Sequence, residues 1–114
     1  MPDQALPLEL TPQEVIALRE ADHKLCLIDC REPEEWEICR IEGANLVPMN
    51  TVPTRLQELD AQADETRLIV YCHHGVRSLN VVSWLRAQGV DNCQSMTGGI
   101  ERWSREIDPQ VPRY

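Results

Sequence analysis

The sequence predicts an α/β fold with a central, mainly parallel sheet flanked by helices. Three observations carry that expectation. Short apolar runs recur between segments whose apolar residues fall at helical spacing, the alternation that builds parallel sheets. Two of these runs, 25–28 and 67–72, show little inside-to-outside alternation, as expected of strands covered on both faces. Pro and Gly punctuate the segments where helices should start and stop.

The elements follow in chain order. Thr11, Pro12 and Glu14 combine an N-cap hydroxyl, a Pro at the first helical position and an acid placed to close a capping box, so a helix starts at Pro12. Val15, Ile16 and Leu18 supply its apolar side, and the polar stretch 20–23 ends it before the buried strand at 25–28. Pro33, with Glu34 and Glu35 in the first turn to complement the helix dipole, opens a short helix through Cys39. Gly43 breaks the chain, 45–48 suits an edge strand, and 52–59 carries apolar residues at near-helical spacing. Leu68, Ile69, Val70 and Tyr71 make 67–72 the central strand. A helix over 78–88, stopped by Gly89, a strand over 92–96 and a last helix over 100–106 after the Gly98–Gly99 turn complete the alternation. Pro109 and Pro112 prevent the tail, 107–114, from continuing that helix.

Composition narrows the function classes. A chain of 114 residues suits one domain with one core, spanning 1–114 with the proline-containing tail at its end. With 42% hydrophobic and 26% charged residues it has the make-up of a packed protein rather than a disordered one. No apolar run approaches the roughly 20 residues that cross a bilayer, and the N-terminus has no basic region followed by an apolar one, so neither export nor membrane insertion is expected. A formal net charge of −8 opposes binding to nucleic acid and to anionic membranes. Five Cys without an export signal point to a reducing compartment, and a cytoplasmic location is expected.

The residues that carry chemistry lie between the central strand and the next helix: Cys72, His73, His74, Gly75, Val76, Arg77, Ser78. A strand-to-helix turn projects successive backbone N–H groups into one concavity, reinforced by the positive end of the helix. A thiolate at its centre is stabilised, so the Cys72 thiol should titrate below its ordinary value and serve as a nucleophile near neutral pH. Gly75 lets the backbone turn inward, and Arg77 either adds positive charge at the rim or holds the loop. His73 and His74 are general acids or loop supports, and as neighbours in sequence their side chains are expected to diverge.

This loop, preceded by Leu68 to Tyr71 and followed by a helix, resembles the active-site loop of rhodanese-like domains. The segment 27–36 resembles that family's Asp-x-Arg-x-x-x-Glu-Trp stretch through Asp29, Arg31, Glu35 and Trp36, and Gly98, Gly99, Ile100 with Trp103 resemble its closing motif. The resemblance runs from Glu9 through Trp103, with one departure: Arg40 stands where the family often has His before Ile41, Glu42, Gly43 and Ala44. It implies a parallel five-stranded sheet and a sulfurtransferase that moves sulfane sulfur from thiosulfate or a related donor to a thiol or cyanide through a Cys72 persulfide, with His73 to Ser78 as the substrate-binding loop and no metal or organic cofactor. The tail 107–114 resembles endings of rhodanese domains in molybdopterin-type and thiolation pathways, where a small sulfur-carrier protein accepts the sulfur. The plainer expectation for the tail is that it packs against the domain.

Other readings remain beside this one. A Cys-dependent phosphatase would have five residues between Cys and Arg, and here there are four. A noncatalytic sulfide-sensing or protein-binding module shares the fold without turnover. Asp29 and Arg31 follow a strand end and either line the crevice or, the favoured reading, form an ion pair that fixes the loop as supporting residues. Cys26 and Cys30 are read as structural thiols, since no second pair at zinc-site spacing exists, while Cys39 or Cys93 could resolve a persulfide as a disulfide.

Overall fold

The computed structural model describes residues 6–114. The part of the export reading that falls on residues 1–5 lies outside them. Thr11 caps the first helix as expected. Its hydroxyl accepts from the Glu14 N–H at 3.1 Å and the Glu14 carboxylate accepts from the Thr11 N–H at 2.8 Å, opening α1 at Pro12–Glu20. Strand β2 spans Leu25–Asp29, α2 Pro33–Ile38 and β3 Asn45–Leu46. Two 3-10 turns, Met49–Thr51 and Pro53–Arg55, lead into α3 at Leu56–Ala63. Then come β4 (Arg67–Tyr71), α4 (Val76–Ala87), β5 (Cys93–Met96) and α5 (Gly99–Glu106).

The five strands, counting a short β1 at Glu9–Leu10, lie in the order β1-β5-β4-β2-β3 and every pairing is parallel. The sheet is thus wholly rather than mainly parallel, and β4 is its centre. Alternate residues of β4 feed two cores. Leu68 and Val70 pack with Leu59 of α3 and with Val81, Val82 and Leu85 of α4, while Ile69 and Tyr71 pack with Val15 of α1 and with Ile100 and Trp103 of α5. Burial on both faces explains why β4 reads as a continuous apolar run.

The structure corrects several boundaries. Strand β1 carries no periodicity in two residues, and it exists because Leu8 and Leu10 carbonyls accept from Ser95 and Thr97 N–H at 2.8 and 2.9 Å. The edge strand ends at Leu46, before Pro48 removes a donor. Within 52–59 the Pro53 segment tightens into a 3-10 turn, and the α-helix runs on to Ala63. Helix α4 starts at Val76 rather than Ser78, which puts half of the expected loop into its first turn. Among the described residues no helix is long and apolar enough to cross a membrane.

Candidate active site

The site forms where β4 ends and α4 begins. The first N–H groups of a helix have no partner within it, and here two of them find a sulfur. Gly75 and Ser78 N–H donate to Cys72 Sγ at 3.1 and 3.3 Å, and the Ser78 hydroxyl lies 3.5 Å from the same atom. Ser78 Oγ sits 2.7 Å from Ser95 Oγ on β5, so its orientation is fixed from behind. Ser78 and Ser95 are fully buried and Cys72 is 1% exposed. Gly75 caps α4 at φ +103°, a left-handed conformation that strains other residues, and a Cβ there would meet Gly98 N at 3.1 Å.

The loop is also held from the far side. The first turn of α5 donates to it, Ile100 N–H to the Cys72 carbonyl at 2.9 Å and Glu101 N–H to that of His73 at 3.1 Å. This contact needs Gly99, because any Cβ there would run into those two carbonyl oxygens. The Gly-Gly pair therefore lets one helix terminus seat the loop that the other helix terminus wires to sulfur.

These contacts set the acidity of Cys72. The neighbouring Cys30 thiol is the largest influence holding its thiol down, followed by the Ser78 hydroxyl and the Ser78 and Gly75 N–H groups, and together they outweigh burial to place it at about 4. Cys72 is a thiolate at neutral pH. Cys30 moves the other way: the Cys72 thiolate first, then burial, then the nearby Asp29 charge push it up, so it keeps its proton.

Sequence reasoning assigned Cys30 to the core as a structural thiol, and the structure places it beside Cys72. The signal lies in the strand pairing rather than in the local sequence. Leu25 pairs with Arg67 and Asp29 with Tyr71, so Cys30 and Cys72 each stand one residue beyond the paired stretch. Neither alternative resolving thiol is so placed. Cys39 packs with Tyr71 and Ile69 on the opposite face of the sheet. Cys93 pairs with Leu68, four residues before Cys72, about 13 Å away along the strands, and its thiol donates to the Val90 carbonyl at 3.3 Å.

Around the rim, Arg77 holds the loop. Its guanidinium makes two bonds to the Glu35 carboxylate, at 2.7 and 2.9 Å, tying α4 to α2. Asp29 and Arg31 form the expected ion pair, fully buried, with Arg31 Nε 2.8 Å from Asp29 Oδ1. The tail packs as expected, with Ile107 and Val111 against the core under α5, and it goes further than the sequence suggested. Tyr114 takes a bond from Arg31 Nη1 at 2.8 Å and donates to Glu35 Oε2 at 2.7 Å, which links the two ion pairs.

His73 and His74 do not diverge. Both lie in the loop beyond β4, where the two rings stack with centroids 3.9 Å apart, Tyr114 lying 3.9 Å from His73 in a second stack. Burial first, and then the charge of His74, push the His73 imidazole below its ordinary value. His74 is exposed, and Val76, 70% exposed, stands at the mouth. Sequence gave no metal site. Folding brings ligand atoms of His73, His74 and Glu101 within 4.8 Å of one another at the outer rim, with Cys72 outside that group.

Fold and site together define an α/β domain that seats a buried thiolate between the ends of two adjacent parallel strands and the start of a helix. Residues 11–106 match the rhodanese-like domain family, and the chain belongs to it. A sulfurtransferase of Allochromatium vinosum is 32% identical over 99 residues, covering 86% of this chain and 90% of the relative. The probable adenylyltransferase/sulfurtransferase MoeZ of Mycobacterium tuberculosis is 31% identical over 105 residues, 92% of this chain but only 26% of that protein, so the chain spans about a quarter of its length. Among solved structures, a rhodanese-like domain protein from Staphylococcus aureus superposes with a TM-score of 0.77 at 27% identity, covering 95% of this chain and 99% of that one.

Proposed function

We propose that this protein is a sulfurtransferase that carries sulfur as a persulfide on Cys72. The observation that carries the reading is the buried Cys72 thiolate held by Gly75 N–H, Ser78 N–H and the Ser78 hydroxyl. The Cys72 thiolate attacks the sulfane sulfur of a donor such as thiosulfate, the donor's S–S bond breaks, and sulfite leaves with the electron pair. The outer sulfur of the persulfide is then attacked by cyanide or a thiol, and the Cys72 thiolate is the leaving group. In both steps negative charge gathers on sulfur inside the loop, where fixed donors stabilise it without reorganising.

Several details support this chemistry over the alternatives. The Arg77 fork is occupied by Glu35 and is not free to clasp a tetrahedral phosphate, which weighs against a phosphatase. A thiolate-holding loop is unnecessary in a binding module. The named activity of the Allochromatium vinosum relative, which this chain nearly spans, agrees with the reading. A small sulfur-carrier protein is a proposed acceptor, resting on the resemblance of the tail and the name of the MoeZ relative. A thiolate used this way suits a reducing compartment such as the cytoplasm.

Intact mass after thiosulfate treatment tests the proposal. The wild-type protein should gain one sulfur, mapped to Cys72 and removed by cyanide with formation of thiocyanate. A protein that acquires no sulfur overturns the reading.

A further inference from the structure

The transfer cycle uses Cys72 alone, yet a second thiol is built against it. Strands β2 and β4 pair in register from Leu25 and Arg67 to Asp29 and Tyr71. The pairing continues one step further, because the Cys30 N–H donates to the Tyr71 carbonyl at 3.0 Å. Cys30 and Cys72 are thus the next facing pair. Facing residues of adjacent strands have Cα atoms about 4.8 Å apart, inside the roughly 4.4–6.8 Å span of a disulfide. Paired positions project to the same face, and both sulfurs pack in the same core cluster with Ile28 and Val70. Both side chains are almost without exposure, 0% and 1%.

The two flanks of Cys72 also differ. Ser78, which contacts its sulfur, is tied to Ser95 on the β5 side, and Cys30 stands on the β2 side. The Ser78 donors and the Cys30 thiol therefore lie toward different neighbouring strands of Cys72.

We infer that Cys30 is a resolving thiol: when no acceptor arrives, it displaces the carried sulfur from Cys72 as hydrosulfide and closes the site as a Cys30–Cys72 disulfide. This rests on the persulfide reading of Cys72. The Cys30 sulfur attacks Cys72 Sγ, the new S–S bond replaces the bond to the outer sulfur, and that sulfur departs with the electron pair and takes the Cys30 proton. Two thiol-level sulfurs are oxidised to the disulfide and one sulfane sulfur is reduced to sulfide, so no outside oxidant enters. A dithiol reductant returns the enzyme to its starting state. The Cys72 thiolate is what chiefly keeps Cys30 protonated, and conversion of that sulfur to the neutral inner atom of a persulfide removes this hold.

The test follows the persulfide after donor is removed, without oxygen and without acceptor, by intact mass, peptide mapping and sulfide release. Wild type should lose its sulfur, release hydrosulfide in equal amount and end two hydrogens lighter than the reduced protein, with Cys30 and Cys72 in one cross-linked peptide. Cys30→Ser, and Cys30→Ala as a second variant, should hold the persulfide at least about tenfold longer, because a placed intramolecular thiol is lost. Equal lifetimes in all three proteins, or sulfide release with no cross-link in wild type, overturn the inference and leave the transferase intact. Failure of every protein to take up sulfur instead removes the transferase reading, and this inference with it.

Discussion

Two cysteines stand at matching positions at the ends of adjacent parallel strands, Cys72 after β4 and Cys30 after β2, and their acidities are opposite. Each is followed by a turn into a helix and each has an Arg close behind it. After β4, Gly75 turns the chain inward so that the first N–H groups of a twelve-residue helix face sulfur. After β2, Arg31 instead pairs with Asp29, and the first turn of α2 is closed on itself by Glu32 and Glu35. The two strand ends supply matching places, and the surroundings set the two acidities apart: the Cys30 thiol first and then the Ser78 and Gly75 donors lower Cys72, while the Cys72 thiolate and then burial raise Cys30.

Removing the proposed nucleophile breaks that contrast most severely. Cys72→Ser should abolish sulfur uptake and turnover while circular dichroism stays unchanged; sulfur acquired at a wild-type rate would mean that another thiol carries it. Gly99→Ala comes next, because its Cβ cannot coexist with the Cys72 and His73 carbonyls and its φ is +60°. Backbone strain of about 1–3 kcal/mol should lower the melting temperature by several degrees and cut sulfur loading, whereas Gly43→Ala, with open space around it, should retain loading. Equal loading in the two variants would show that the α5 seat does not position the loop.

How far the site was legible in the sequence follows from the same two loops. The starts of the first two helices and the central strand were readable because Thr11, Pro12 and Pro33 have local effects and the apolar run at Leu68 to Tyr71 reflects burial on both faces. Cys72 was readable because its chemistry depends on a contiguous strand–turn–helix segment. What escaped depends on contacts distant in sequence: β1 forms only through β5, Ser95 meets Ser78, and Tyr114 returns to Arg31 and Glu35. Cys30 lies between these cases, since it becomes visible only once β2 is known to neighbour β4. The stacking of His73 on His74 had no local signal, because it depends on the tail packing against the far face of His73.

Ser78→Ala sharpens the contrast without removing the nucleophile. It deletes one of the donors to the thiolate and leaves the backbone N–H in place, so the Cys72 thiol should rise by about one pH unit, the equivalent of roughly 1.4 kcal/mol. The pH dependence of iodoacetamide alkylation reads this directly: the wild-type midpoint should lie near 4 and the variant's above it. Coincident midpoints would assign the acidity to the remaining donors and to Cys30.

The smallest effect concerns the link between the two loops rather than either sulfur. Glu35 belongs to the helix after β2 and grips Arg77 of the helix after β4, and Arg77 foremost, with the Glu32 N–H and Tyr114 hydroxyl, holds its carboxyl down at about 2 against an ordinary 4.5. A carboxyl lowered on folding adds stability that is complete above its unfolded value and disappears as pH falls through its folded value. Glu35→Gln should therefore cost about 1 kcal/mol near neutrality, and that deficit should shrink between about pH 4.5 and pH 2. Urea unfolding across this window measures it. A deficit that stayed constant would mean that the Glu35 charge does not join the two loops, and that Tyr114 and the packing beneath it are sufficient to keep the Cys72 loop and the Cys30 loop in register.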